Sequence, residues 1–217
     1  MCLFLFCSNL NVSTLRIGRG MSQVAFDFGQ SEAPRRPKKP ERLILMVLLE
    51  APVGSQALEI ASEIQTANGI QAKLRPLDHL HISLQHIRDD KRLREKYVFA
   101  AKRAANAVVA EAFDVCFDRI VTFPGGRPDR RATVLLGGST ALMDLQCRLG
   151  VALISNGLRG ALSFNPHITL FYSSRSVVPQ QIDPLRFTVR RFSLVHSERG
   201  LTKYNILESW LTQAKWH

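Results

Sequence analysis

His81-Ile82-Ser83-Leu84 and His167-Ile168-Thr169-Leu170 are two copies of one pattern, in which a histidine, an apolar residue, a hydroxyl residue and a second apolar residue follow one another. Side chains alternate between the two faces of a β-strand, so the histidine and the hydroxyl residue of each copy share a face while the apolar residues point to the core. The copies therefore predict strands at residues 79–87 and 167–172, each presenting an imidazole beside a hydroxyl group.

The segments before the two motifs are also similar. Gly54-Ser55-Gln56-Ala57-Leu58 precedes the first motif and Gly138-Ser139-Thr140-Ala141-Leu142 precedes the second, and each follows an apolar strand. Gly54 lies 27 residues before His81, and Gly138 lies 29 residues before His167. We interpret the chain as two copies of a strand-helix-strand unit, in which each serine caps its helix. If the copies pack about a pseudo-twofold axis, the two imidazoles and two hydroxyl groups converge on one cleft.

Patterns over the rest of the chain predict an α+β fold. Continuous or alternating apolar residues predict further strands at 43–49, 114–123, 131–136, 186–195 and 205–212. Helical periodicity predicts helices that begin near Gly54 and span 90–112 and 140–156.

The N-terminal part of the sequence differs from the remainder. Residues 34–42 read PRRPKKPER, and clustered prolines and positive charges disfavour regular structure. We expect residues 1–41 to be a flexible extension with a basic, proline-rich linker, and residues 42–217 to form the globular domain. A disordered tail, or a true start at Met21, is the simpler interpretation of this segment than a functional arm.

Composition limits the class of protein. The 217 residues are 46% hydrophobic, which fits a chain that buries a core, and the net charge of +11 favours polyanionic partners such as RNA. The four cysteines form no CxxC pair, so a reducing cytoplasm is the simplest compartment. We identify no apolar segment of membrane-spanning length, expect no contact with a membrane, and expect a monomer.

The two motifs together suit the hydrolysis of a cyclic phosphodiester. That reaction needs a base for the attacking water, an acid for the leaving oxygen and donors for the phosphoryl oxygens. His81 and His167 can hold opposite protonation states near neutral pH, and Ser83 and Thr169 can donate hydrogen bonds. One such motif alone is more often structural, but two matching motifs in matching halves favour catalysis.

A metal site is the alternative use of these histidines. His79 and His81 have an H-x-H spacing that metal sites use, whereas His86 falls on the opposite face by strand alternation. Since no Cys, Asp or Glu lies at ligand spacing from them, we expect neither a metal ion nor another cofactor.

These motifs carry a family resemblance. Together with residues 192–212, FSLVHSERGLTKYNILESWLT, they resemble the two-histidine (2H) phosphoesterase superfamily, in its branch of 2′-5′ RNA ligase-like proteins and RNA 2′,3′-cyclic phosphodiesterases. The similarity covers residues 42–213 and includes Tyr204 and Trp210. The sequence departs from the family pattern at Ser83, where threonine is commoner, and at Thr212, where an apolar residue is usual.

The resemblance implies a bilobal fold, in which two interleaved, pseudo-symmetric ferredoxin-like lobes flank a positively charged central groove. It also implies catalysis without a metal, with the first-motif histidine as general acid and the second as general base. Carried over to this sequence, those roles belong to His81 and His167.

Further candidates are expected to bind the substrate. Arg130 and Arg131 precede a strand that should border the groove, and guanidinium groups suit phosphate. Phe171 and Tyr172 follow the second motif and could stack on a base, although by alternation one of them points into the core.

The sequence thus predicts hydrolysis of 2′,3′-cyclic phosphate ends, on RNA or small nucleotides, to 2′-phosphates. Reversible 2′-5′ RNA ligation, or cleavage of another nucleotide phosphodiester, would use the same histidines. A nucleotide-binding or RNA-binding module without turnover is the rival from a different class.

Overall fold

The computed structural model describes residues 40–125, 127–199 and 201–213, and within them the chain forms eight strands, three α-helices and one 3-10 helix. The strands are β1 (Glu41–Leu48), β2 (His81–Asp90), β3 (Phe113–Thr122), β4 (Arg131–Gly138), β5 (His167–Ser173), β6 (Gln180–Val189), β7 (Arg191–Glu198) and β8 (Lys203–Leu211). The helices are α1 (Ala51–Ala67), the 3-10 helix (Leu77–His79), α2 (Glu95–Asn106) and α3 (Thr140–Ser155). The predicted extension lies outside the described residues except for Pro40 and Glu41, and Glu41 already belongs to β1.

All eight described strands lie in one antiparallel sheet, in the order β6-β3-β4-β5-β2-β1-β7-β8. In this spatial order, one half of the sheet contains β6, β3, β4 and β5, and the other half contains β2, β1, β7 and β8. The halves meet where Ile82 of β2 pairs with Ile168 of β5. The predicted α+β fold with two related halves is therefore confirmed, and the two motif strands are neighbours at its centre.

The internal repeat is visible in the topology. β1, α1 and β2 form one unit and β4, α3 and β5 form the other, and in each unit the two strands pair side by side. β7 and β8 complete the half that contains β2, whereas β3 and β6 complete the half that contains β5. The halves are interleaved along the chain, because β3 precedes its repeat unit and β7 follows both units.

The helices cover one face of the sheet and leave the motif histidines on the other. α1 contacts β5 and β6, while α3 contacts β2, β3 and α2.

None of the helices in the described part of the chain is long and apolar enough to cross a membrane. The main core lies between these helices and the sheet; its fully buried side chains include Leu45, Ile82, Phe117, Leu135, Leu145, Leu149, Ile168, Phe171 and Phe192. Burying each such side chain stabilises the fold by about 1.5–3 kcal/mol.

A β-bulge lies at the last residue of each motif. In β2, Ser83 pairs with Met46 and Gln85 with Leu45, so Leu84 is the extra residue. In β5, Thr169 pairs with Val134 and Phe171 with Thr133, so Leu170 is the extra residue.

The bulges reverse the alternation of side chains beyond them. His86 and Tyr172, each five residues after a motif histidine, therefore return to the face that the histidine occupies. The prediction that His86 lies on the opposite face was wrong for this reason.

The start of α1 also differs from the prediction. α1 begins at Ala51, with Glu50 at the N-cap position and Pro52 in its first turn. Proline is tolerated there because N–H groups in the first turn have no hydrogen-bond partner within the helix. Ser55 therefore lies inside the helix and does not cap it. The cap of α3, the helix of the second repeat unit, is as predicted, since Ser139 Oγ accepts a hydrogen bond from the Leu142 amide at 3.3 Å.

Three element boundaries differ as well. The predicted strand at 79–87 begins at His81, because His79 ends the 3-10 helix. The predicted helix at 90–112 is shortened to Glu95–Asn106, since Asp89 and Asp90 continue β2 and pair with Arg42 and Glu41. The predicted strand at 186–195 is two strands that break at Arg190 and lie in different halves of the sheet.

Candidate active site

The structure brings the four motif side chains to one face of the central strand pair. Ile82 and Ile168 pair directly and are fully buried on the helix side, so their neighbours in each strand point to the other side. Continuing the antiparallel register by one residue sets His81 opposite Thr169 and Ser83 opposite His167. Each imidazole thus lies beside the hydroxyl of its own motif and across from that of the other.

Both imidazoles are oriented in the same way by the backbone. His81 Nδ1–H donates to the carbonyl of His79, and His167 Nδ1–H donates to the carbonyl of Asn165, each over 2.8 Å. A hydrogen bond at Nδ1 fixes the tautomer and leaves Nε2 for chemistry. His81 Nε2 lies 3.1 Å from Ser83 Oγ, so in the neutral ring it accepts a hydrogen bond from this hydroxyl.

Aromatic side chains surround the two imidazoles. The ring of Tyr204 meets His81 edge to face at 5.7 Å between centroids and stacks on His79 at 4.1 Å. On the other strand, Phe123 meets His167 edge to face at 5.1 Å. Each ring therefore restricts how the neighbouring imidazole can turn.

The electrostatic surroundings of His81 favour its neutral form. Burial lowers the pKa of His81 to about 4, and the proximity of Arg75 and His167 acts in the same direction. The hydrogen bond to the His79 carbonyl opposes this shift. His81 is therefore neutral at pH 7 in the free protein.

The predicted substrate-binding residues do not all reach this face. Tyr172 is 37% exposed, and the guanidinium carbon of Arg130 lies 4.8 Å above the centre of its ring. Phe171 was wrongly predicted to bind substrate, since it is fully buried in the core behind the bulge. Arg131 donates to Ser176 Oγ at 3.0 Å and, as the strand neighbour of Ala132, faces away from Tyr172.

Two residues near His81 were not predicted to take part in this site: Arg75 was not singled out at all, and His79 was considered only as a metal ligand. Arg75 reaches His79, with 3.3 Å between Arg75 Nη2 and His79 Nδ1, and its backbone N–H donates to the carbonyl of Leu170 in the second motif. His79 is 4% exposed and positions His81 through its carbonyl. No local pattern points to Arg75, because its contacts depend on a strand far along the chain.

No group of three or more His, Cys, Asp or Glu side chains that could hold a metal ion occurs among the described residues. What the site offers is a pair of imidazoles whose Nε2 atoms make no hydrogen bond to the backbone, and a pair of hydroxyl donors on the same surface. Such a set can accept a proton, donate a proton and hydrogen-bond the oxygens of a phosphoryl group.

Comparisons with known proteins agree with this arrangement. Residues 54–201 match the family model of the 2′-5′ RNA ligase superfamily. A search of curated protein sequences finds no match.

Several solved structures share the fold. LigT of E. coli complexed with ATP is 22% identical, with a TM-score of 0.61, and the alignment covers 81% of this chain and 99% of LigT. TT0787 of Thermus thermophilus is 21% identical, with a TM-score of 0.61 and coverage of 81% and 100%. A crystal structure described as a phosphoesterase is 21% identical, with a TM-score of 0.63 and coverage of 81% and 99%.

The structural likenesses establish the fold, and the family match extends from α1 through both histidine motifs to the end of β7. The chain therefore belongs to the 2′-5′ RNA ligase superfamily of two-histidine phosphoesterases.

Proposed function

We propose that this protein hydrolyses 2′,3′-cyclic phosphate ends of RNA or small nucleotides to 2′-phosphates. The observation that carries the proposal is the pairing of β2 with β5, which puts two imidazoles and two hydroxyl groups of the duplicated motif on one surface. The superfamily comprises enzymes that act on phosphodiester bonds, which supports the same reaction class.

In the proposed reaction, His167 Nε2 takes a proton from a water molecule as its oxygen attacks phosphorus. The bond between phosphorus and O3′ breaks, and His81 Nε2 gives its proton to the departing O3′. The product carries a 2′-phosphate and a free 3′-hydroxyl. Ser83 Oγ and Thr169 Oγ1 donate hydrogen bonds to the nonbridging oxygens, whose charge grows in the transition state.

The low pKa of His81 sets a condition on this mechanism. A general acid must be protonated, yet His81 is neutral at pH 7 in the free protein. A phosphoryl anion beside the ring favours the imidazolium form and so raises the pKa of His81. The negative charge of the substrate therefore favours the protonated form of His81 that a general acid requires.

Tyr172 is the proposed contact for the nucleoside. Its ring is partly exposed on the motif face, and Arg130 stacks on it. An aromatic face stacks on any base, at about 1–3 kcal/mol per base. This contact would favour nucleotides over inorganic phosphate without selecting a particular base.

The relatives agree with a nucleotide ligand. LigT of E. coli has been crystallised with ATP, with 3′-AMP, with NADP+ and with phosphate. By analogy, we propose that this chain binds small nucleotides at the motif surface.

The direct test is to incubate the protein with 2′,3′-cyclic AMP in the presence of EDTA and to identify the product. We expect a 2′-phosphate, insensitivity to EDTA, and loss of turnover in His81→Ala and His167→Ala. His86→Ala is the matched control, because it removes an exposed histidine from the same strand outside the motif. The absence of product, or activity that survives His81→Ala, would overturn the proposal.

Ligation uses the same surface with a different nucleophile. If the 5′-hydroxyl of a second RNA replaces water, attack on the cyclic phosphate gives a 2′-5′ linkage. Adding a 5′-hydroxyl oligonucleotide to the same reaction distinguishes the two outcomes by product size. A nucleotide-binding module, in turn, would bind tightly but give neither product.

A further inference from the structure

Arg75 occupies the gap that opens between the two motif strands. Beyond the Ile82–Ile168 pair, the chain before β2 turns away as the 3-10 helix, and Leu74 pairs with Phe171 at the edge of β5 instead. The backbone N–H of Arg75 donates to the Leu170 carbonyl over 2.8 Å. Arg75 is thus attached by its backbone to the strand of the second motif.

The side chain of Arg75 lies on the motif face. Leu74 packs with Phe171 in the core on the helix side, so by alternation the next residue points the other way. Consistent with this direction, the guanidinium is close enough to influence His79, His81 and Tyr204 electrostatically. Arg75 therefore links the backbone of the second motif to the imidazole of His79, two residues before the first motif histidine.

A buried histidine holds the guanidinium in place. Burial lowers the pKa of His79, so the ring is neutral and its Nδ1 can accept from Arg75 Nη2 at 3.3 Å. Stacking on Tyr204 fixes the plane of the His79 ring. A neutral acceptor uses one donor and leaves the positive charge of Arg75 uncompensated.

No carboxylate lies within 4.0 Å of Arg75 among the residues that the structure describes, whereas Arg42, Arg88, Arg127, Arg148 and Arg199 each have one. A half-buried guanidinium that lacks an acidic partner has unused donors and an unused charge. Such a group is suited to a phosphoryl oxygen.

We propose that Arg75 binds the phosphoryl group of the substrate directly, held toward His81 by His79 and Tyr204. This inference rests on the proposed function for its substrate, but it makes a separate claim about anion binding. It assigns to the site a fixed positive charge beside the uncharged donors Ser83 and Thr169.

The test measures binding of inorganic phosphate and of 2′-AMP by the full chain with Arg75→Gln, Arg75→Lys and Lys73→Gln. Lys73 is the matched control, because it is exposed and loses the same charge two residues earlier in the same segment. We expect Arg75→Gln to weaken both ligands about 10- to 100-fold, as loss of a charge-assisted contact implies. The affinity of Arg75→Lys for both ligands should lie between those of Arg75→Gln and the unsubstituted protein, since lysine keeps the charge but lacks the planar guanidinium. The affinity of Lys73→Gln should stay within about two-fold of the unsubstituted protein.

Unchanged phosphate affinity in Arg75→Gln, or an equal loss in Lys73→Gln, would overturn the inference. If Arg75→Gln does not fold by circular dichroism, the comparison of Arg75→Lys with Lys73→Gln decides it in the same way. The two proposals also fail separately. If Arg75→Gln weakens phosphate binding but the unsubstituted protein does not hydrolyse 2′,3′-cyclic AMP, only the proposed function is refuted. If the protein hydrolyses 2′,3′-cyclic AMP with its two motif histidines and Arg75→Gln changes neither binding nor turnover, only the role of Arg75 is refuted.

Discussion

His81 and His167 share a hydrogen-bonding pattern but differ in their neighbours. Each donates from Nδ1 to the carbonyl two residues earlier, and each meets an aromatic edge. His81 in addition lies near Arg75 and has its Nε2 bonded to Ser83. The duplicated motif thus provides two similar imidazoles, and the surrounding residues give them different properties.

The titration of His81 is a measurable consequence. In the free protein its pKa is lowered to about 4, so its ring protons in an NMR titration should shift near that pH instead of near the ordinary value of about 6.5. Bound phosphate or 2′-AMP stabilises the imidazolium, so the midpoint should rise on binding. An ordinary midpoint in the free protein, or one that ligand leaves unchanged, would contradict the mechanism proposed for the acid.

At the level of the elements, the sequence predicted most of the architecture. Periodicity and turn residues located the three helices and most strands, and the repeat placed both motif strands side by side. The side of the sheet to which the residues beyond the motifs point was not predictable from periodicity or from the repeat. Leu84 and Leu170 are ordinary strand residues, and each becomes the extra residue of a bulge through the register of its partner strand. Strict alternation therefore misassigned His86 and could not tell Phe171 from Tyr172.

The site was predictable to a similar extent. The histidines and hydroxyl residues follow from the motif itself, whereas Arg75 joins them through pairing of Leu74 with a distant strand. Such long-range contacts leave no periodic pattern in one sequence.

The two serines of the repeat provide a test at this scale. Ser139 caps α3 through the Leu142 amide, while Ser55 is exposed inside α1. Ser139→Ala should lower the free energy of unfolding by about 1 kcal/mol, and Ser55→Ala should change it by no more than a few tenths, because alanine is the better helix former. Urea unfolding of both variants measures the difference; equal effects would show that the two helix starts are alike after all.

At the scale of the whole molecule, the net charge of +11 should act on long substrates more than on short ones. Each phosphate contact that releases counterions adds to the salt dependence of binding. Between about 50 and 200 mM salt, we expect the KM for 2′,3′-cyclic AMP to rise about two- to three-fold, and that for an RNA ending in a cyclic phosphate to rise roughly ten-fold or more. Equal salt dependence for both substrates would mean that RNA beyond its end does not contact the protein.

If the two motif histidines act on one phosphorus atom, their contributions to turnover are coupled, and a double-mutant cycle measures that coupling. We predict that His81→Ala and His167→Ala each lower kcat/KM for 2′,3′-cyclic AMP by about 10²- to 10⁴-fold. The double variant should be little worse than the more damaged single variant, because an acid and a base of one reaction act as a unit. Losses that multiply in the double variant, or a single variant that retains full activity, would show that the two histidines do not act together on one phosphorus atom.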